Sequence, residues 1–297
     1  RAVMSTAVRS IVTPIGTDRY GRRVQLDCVA VAHHVIAGAT RSGKSQLMYG
    51  MLGQLAGYSA VRVVGIDPSR VLLAPFTRRG VSEPLIALGG DVEGYWRVLE
   101  SLLAEMERRL GMLDSLRVDK FVAFSSPFPL MVVVLEEFPG AVEAVADRDL
   151  GHSKRDEKIG PRFQGVIRRL VGESAKIGFR VVILAQRADA DIIGGNVRAN
   201  LSVRICFRFV DSAGIRMMYE SIDPDEMRLV EDFAPGRGFI RTARLPRAMF
   251  KSFFVGDYGV YRRHVESLDP RYLGDLRLDQ VQREVIAETF PEVGDPG

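Results

Sequence analysis

Short apolar, β-branched runs alternate along the chain with longer segments whose apolar residues recur every three or four positions. That alternation predicts strand–helix–strand units around a largely parallel sheet. Residues 34–37, 61–66, 130–135, 180–185 and 202–209 predict strands, and their near-continuous apolar character fits strands covered on both faces. Residues 44–55, 92–116 and 163–176 predict helices. Residues 236–242 and 248–255 predict a closing antiparallel hairpin around Leu245 and Pro246. The polar stretch 147–160 is expected to be a long loop, and the charged segment from Tyr258 a tail. The resulting expectation is an α/β fold with a mainly parallel central sheet flanked by helices. It divides into a lead-in over residues 1–30, a core over 31–257 and an appendage or linker over 258–297.

Length and composition fit that picture. A chain of 297 residues with 46% hydrophobic and 26% charged residues is of ordinary globular composition. Its longest uninterrupted apolar run, 130–135, is far short of the ~20 residues a membrane-crossing helix needs. A first residue of Arg reads as a processed piece, so a membrane anchor of the parent protein would fall outside it. The two cysteines, Cys28 and Cys206, are far apart in apolar surroundings, which predicts buried thiols and a cytoplasmic setting. Among the four histidines, His33, His34, His152 and His264, no metal-ligand spacing occurs. A net charge of +4 is compatible with a polyanionic partner without naming one.

One motif carries chemistry. Gly38, Ala39, Thr40, Arg41, Ser42, Gly43, Lys44 and Ser45 match GxxxxGK[ST], directly after an expected strand and before an expected helix. Such a loop cradles phosphates with converging backbone N–H groups at a helix N-terminus. Lys44 is expected to reach the β- and γ-phosphates of ATP, Ser45 to offer its hydroxyl to Mg²⁺, and Gln46 to complete the nucleotide-binding set. The strand 130–135 runs into Glu136 and Glu137, so two carboxylates emerge where a buried strand meets a loop. Glu136 is assigned to Mg²⁺, partly through water, and Glu137 to the attacking water. A third apolar strand delivers Gln186 and Arg187, where an amide can sense the γ-phosphate.

These residues resemble the FtsK/SpoIIIE motor family, of the HerA/FtsK superfamily, from about Val31 to Val255. His34–Gly38 is similar to that family's entry into the phosphate loop, Gly65–Pro68 to its "IDPK", and Glu105–Arg109 to its "EMERR". Leu184–Asp189 resembles "LATQRPS", and Asp191–Gly194 with Arg198–Leu201 resembles "DVITGLIKANI". The polar insertion around 147–162 and the Gln-Arg-Ala-Asp variant look like the plasmid-transfer (Tra/TraB) branch of actinobacteria. The resemblance implies RecA-like domains in a hexameric ring that threads double-stranded DNA, with ATP between subunits and an arginine supplied in trans. Arg204 is the first candidate for that arginine and Arg198 the second. DNA transfer or chromosome segregation is the implied role; the alternative is a protein-export ATPase like those of type VII secretion. Glu136 stands where the family has Asp, and Arg41 where it tends to have Gly. Phosphate contacts are expected from Arg162, Arg168, Arg169 and Lys176 on one helical segment.

Overall fold

The computed structural model describes residues 7–77, 85–186, 195–209, 212–219 and 221–268. The elements run β1 (Val12–Asp18), β2 (Arg23–Asp27), β3 (His34–Ala37), α1 (Lys44–Leu55), β4 (Val61–Asp67), α2 (Ala74–Thr77), β5 (Ile86–Leu88) and α3 (Val92–Leu116). After these come β6 (Leu130–Leu135), α4 (Phe138–Leu150), α5 (Gly160–Glu173), β7 (Phe179–Ala185), α6 (Gly195–Asn200) and β8 (Val203–Cys206). The described chain finishes with α7 (Ser212–Met218), α8 (Pro224–Glu231), β9 (Arg237–Arg241), β10 (Ala248–Ser252) and α9 (Tyr258–Ser267).

The ten strands among the described residues form one mixed sheet in the order β2-β1-β10-β9-β8-β3-β7-β6-β4-β5. The six from β8 to β5 are parallel neighbours, and the rest pair antiparallel. Every residue of β4, β6 and β7 is buried, as apolar runs must be when helices cover both faces. The exposed and buried positions of β2 alternate instead, because that hairpin is covered on one side.

Helix α3 begins at Asp91, whose side chain accepts from the Gly94 N–H, and ends at Arg117 in the left-handed conformation. Its inner stripe of Val98, Leu99, Leu102, Met106, Arg109 and Leu113 packs on the sheet. The EMERR-like string is explained here. Arg109 is wholly buried; its Nε donates to Glu105 at 2.6 Å, and its other nitrogens to the carbonyls of Ile177 (3.1 Å) and Pro129 (2.9 Å). Its guanidinium lies 4.3 Å from the Phe128 ring centre.

Three sequence expectations need redrawing. The stretch 147–160 is not a loop throughout: α4 continues to Leu150, and a 3₁₀ turn occupies Arg155–Glu157. Asp149 fastens the connection by accepting from the Ile159 and Gly160 N–H groups at 3.0 and 2.8 Å. Within the lead-in 1–30, β1 and β2 are part of the main sheet, with β1 paired to β10. The segment from Tyr258 opens as α9, seated on the core through the buried Tyr261 and Val265; the Tyr261 hydroxyl donates to the Leu72 carbonyl at 2.6 Å.

Candidate nucleotide site

Strand β3 carries the phosphate loop and lies between β7 and β8, with Ala37 level with both Ala185 and Cys206. The loop leaves this buried strand and turns into α1 at Lys44. Two glycines make the turn possible. A Cβ on Gly38 would sit 2.6 Å from Ser42 Oγ and 2.8 Å from Phe207 Cβ. Gly43 has φ 120°, and a Cβ there would meet the Gly236 backbone at 2.8 Å. Arg41 adopts φ 62°, a left-handed backbone that a non-glycine residue holds at a cost on the order of 1 kcal/mol. Its place where the family tends to have glycine is thereby explained in backbone terms, with its side chain exposed.

Lys44 folds over the loop, Nζ donating to the carbonyls of Gly38 (2.7 Å) and Ala185 (3.0 Å). Burial pulls its pKa down to about 8, against the opposing pull of Glu137 and Glu136. Thr40 Oγ1 donates to Gln186 Oε1 at 3.1 Å, so the amide at the end of β7 touches the loop directly. Ser42 Oγ is buried with no hydrogen-bond partner, and Ser45 is exposed at the first turn of α1.

The acidic wall stands beside the loop. Glu136 follows β6, its N–H donating to the Ile66 carbonyl at 2.9 Å. Burial, then the charges of Asp67 and Glu137, push its carboxyl up to about 7, with Lys44 and Ser69 pulling the other way. Its Oε2 is buried without a hydrogen-bond partner. Glu137 sits at φ 44°, ψ 50°, like Arg41 a non-glycine residue of this site in the left-handed region, and starts α4. Such strain clusters at functional positions. Asp67, singled out in the sequence only as part of the "IDP" string, is wholly buried at the end of β4. It accepts from Ser69 Oγ at 2.7 Å and from the Leu73 N–H at 2.8 Å.

Loop residues 39–46, Glu136, Glu137 and Gln186 line one cavity of about 370 Å³. Its far wall, Pro235, Gly236 and residues 251–254, was missed from sequence. The Gly236 N–H donates to the Ser42 carbonyl at 2.8 Å, which brings the turn before β9 against the loop. The Pro-Gly pair was the available signal, and it reads only as a turn. Gln46 lines the cavity too, yet its side-chain amide grips Gly256 and Val255 (2.8 and 3.2 Å).

The arginines divide. Arg204 is buried, its guanidinium donating to the carbonyls of Leu201 (3.2 Å), Met218 (3.2 Å) and Arg198 (2.8 Å). As folded it is a strut inside this subunit. Arg198 is half-exposed at the end of α6. Arg187 and the family-like residues 188–194 lie outside the described residues. On the expected DNA-facing segment, Arg169 is tied to Glu173 and Glu107 (3.0 and 2.7 Å), while Arg162 lies 5.2 Å from the Trp96 ring centre. Arg168 and Lys176 are exposed.

A mostly parallel sheet whose strand β3 feeds a glycine-turned GxxxxGKS loop, with carboxylates at the end of β6 one strand beyond β7, defines a P-loop NTPase. The FtsK/SpoIIIE family model matches residues 1–219, and the chain belongs to that family of ATPases. It is 27% identical to the DNA translocase SftA of Bacillus subtilis, over 91% of this chain and 28% of that protein. It is 26% identical to the DNA translocase FtsK of Borreliella burgdorferi, over 72% of this chain and 27% of that one. The chain thus spans little more than a quarter of these curated relatives. The same fold occurs in the pCW3 conjugation coupling protein TcpA, at TM-score 0.65 and 20% identity, covering 83% of this chain and 67% of that one. It also occurs in the cytoplasmic domain of the type VII secretion ATPase EccC from Thermomonospora curvata, at TM-score 0.67 and 22% identity, covering 91% of this chain and 32% of that one. No helix among the described residues is long and apolar enough to cross a membrane.

Proposed function

We propose that this domain couples ATP hydrolysis to movement of double-stranded DNA as one subunit of a hexameric ring, in conjugative plasmid transfer or chromosome segregation. The observation that carries the choice of polymer is the kinship with proteins named DNA translocases, aligned over as much as 92% of this chain.

The chemistry rests on the loop and its acidic wall. The buried, unpartnered Oε2 of Glu136 beside the lysine is the donor a hard cation would use, so the residues present fit Mg²⁺. The Ser45 hydroxyl and the Glu136 carboxylate would hold that ion, which when bound withdraws charge from phosphate oxygens. Lys44 exchanges the carbonyls of Gly38 and Ala185 for phosphate oxygens. Glu137 orients the attacking water and accepts its proton. Gln186, bonded to Thr40, links the phosphate loop to the end of β7, where a change at the γ-phosphate passes into the sheet. Arg204 and Arg198 are the candidate arginines to act on a neighbouring subunit's nucleotide, and Arg204 as folded holds three carbonyls of its own subunit.

The decisive experiment measures ATPase rate with and without duplex DNA at two salt concentrations, beside a mass measurement of the assembly. Stimulation by DNA that falls as salt rises, in a hexamer, is expected. An assembled protein that DNA leaves unstimulated, and that a secretion-signal peptide stimulates, would replace this reading with protein export.

A further inference from the structure

We propose that Phe254 is the platform on which the base of the bound nucleotide stacks, and that Gln46 is the residue that positions it. Phe253 and Phe254 follow β10 and line the same cavity as the phosphate loop. Phe254 is 81% exposed and Phe253 40% exposed. A cavity lined both by the phosphate loop and by a bare aromatic ring matches a nucleoside triphosphate, whose base presents a flat apolar face.

The segment bearing the rings is held on both sides. Gln46, two residues after Lys44, donates from Nε2 to the Gly256 carbonyl at 2.8 Å and accepts from the Val255 N–H at 3.2 Å. The Phe253 N–H donates to the Ile15 carbonyl at 3.1 Å, and the Ser252 N–H to the Gly236 carbonyl at 2.8 Å. Gly236 is itself bonded to Ser42 in the loop. One side chain of α1 therefore fixes the ring relative to the residues that hold phosphate. Phe253, Phe254 and Val255 carry no side-chain donor or acceptor that could read a base edge, so the platform accepts adenine and guanine alike.

This inference rests on the nucleotide occupying the P-loop cavity. Calorimetric titration of the full chain with ATP, GTP and inorganic tripolyphosphate tests it. Phe254→Ala is expected to weaken ATP and GTP binding about tenfold and leave tripolyphosphate binding unchanged, with Phe254→Trp restoring both nucleotides. Gln46→Ala is expected to show the same base-dependent loss. If Phe254→Ala binds ATP as the wild type does, or loses tripolyphosphate to the same degree, or alters only the mass of the assembly, the platform is refuted. A wild-type chain that binds none of the three ligands would instead remove the nucleotide assignment beneath it.

Discussion

Replacing Glu136 by Gln should stabilise the nucleotide-free protein, and only at neutral or higher pH. The carboxyl titrates near 7 in the folded chain against an ordinary 4.5, because burial and the charges of Asp67 and Glu137 disfavour its ionised form. A folded-state value above the unfolded one means that the native protein holds the proton more tightly. The stability this lends is complete below about pH 4.5 and is lost as pH rises through 7. The full gap corresponds to about 3 kcal/mol. Glu136 also offsets the burial of Lys44, so neutralising it withdraws a partner, and a net gain on the order of 2 kcal/mol is the reasonable expectation. Thermal unfolding of wild type and Glu136→Gln at pH 5 and pH 8, without nucleotide, reads this out. The variant should melt roughly 3 °C higher at pH 8 and near the wild type at pH 5. A variant less stable than wild type at pH 8, or equally shifted at both pH values, would show that the site does not hold a strained charge.

Glu137→Gln should retain ATP binding and lose hydrolysis by at least about a hundredfold, whereas Lys44→Ala should lose binding itself. Equilibrium binding of a fluorescent nucleotide beside the turnover rate separates the two, and equal loss of binding in both contradicts the assigned roles. Gly43→Ala should weaken nucleotide binding more than tenfold in the same assay, because its Cβ would force the Gly236 turn away from the loop. Arg109→Ala should lower unfolding free energy by about 2–4 kcal/mol in urea titration, since it empties interior volume and strands two carbonyls there, while Glu105 keeps Arg108. A loss under 1 kcal/mol would mean that water reaches the gap.

Strands β4, β6 and β7 were legible because an apolar run covered on both faces has one reading, and the phosphate loop because its chemistry lies within eight consecutive residues. The two hidden parts fail for different reasons. Strands β1 and β2 include Pro14 and Gly16 and are solvated on one side, so their pattern resembles a loop; what recruits them is β10, more than 200 residues away. The far wall of the cavity owes its function to nearness in space, as the bond from Gly236 to Ser42 illustrates. An arginine in a string is also silent about its surroundings. Sequence ranks Arg204 ahead of Arg198, and only the carbonyls of Leu201, Met218 and Arg198 show that Arg204 is a strut inside its own subunit.

The placement of β3 between β7 and β8 has a consequence for synthesis. The strand that ends in the phosphate loop leaves the ribosome well before either of its neighbours, since both come from residues 179–206. Contacts so distant in sequence close late. The nascent chain therefore carries the phosphate loop without its supporting strands until residues 179–206 are made. A chain stopped short of Val203 would contain every residue of the GxxxxGKS motif and still lack the parallel pairing with β8 that completes its support. Ribosome-bound chains halted on either side of that point, probed by limited proteolysis, would show the loop passing from cleavable to protected as β8 emerges.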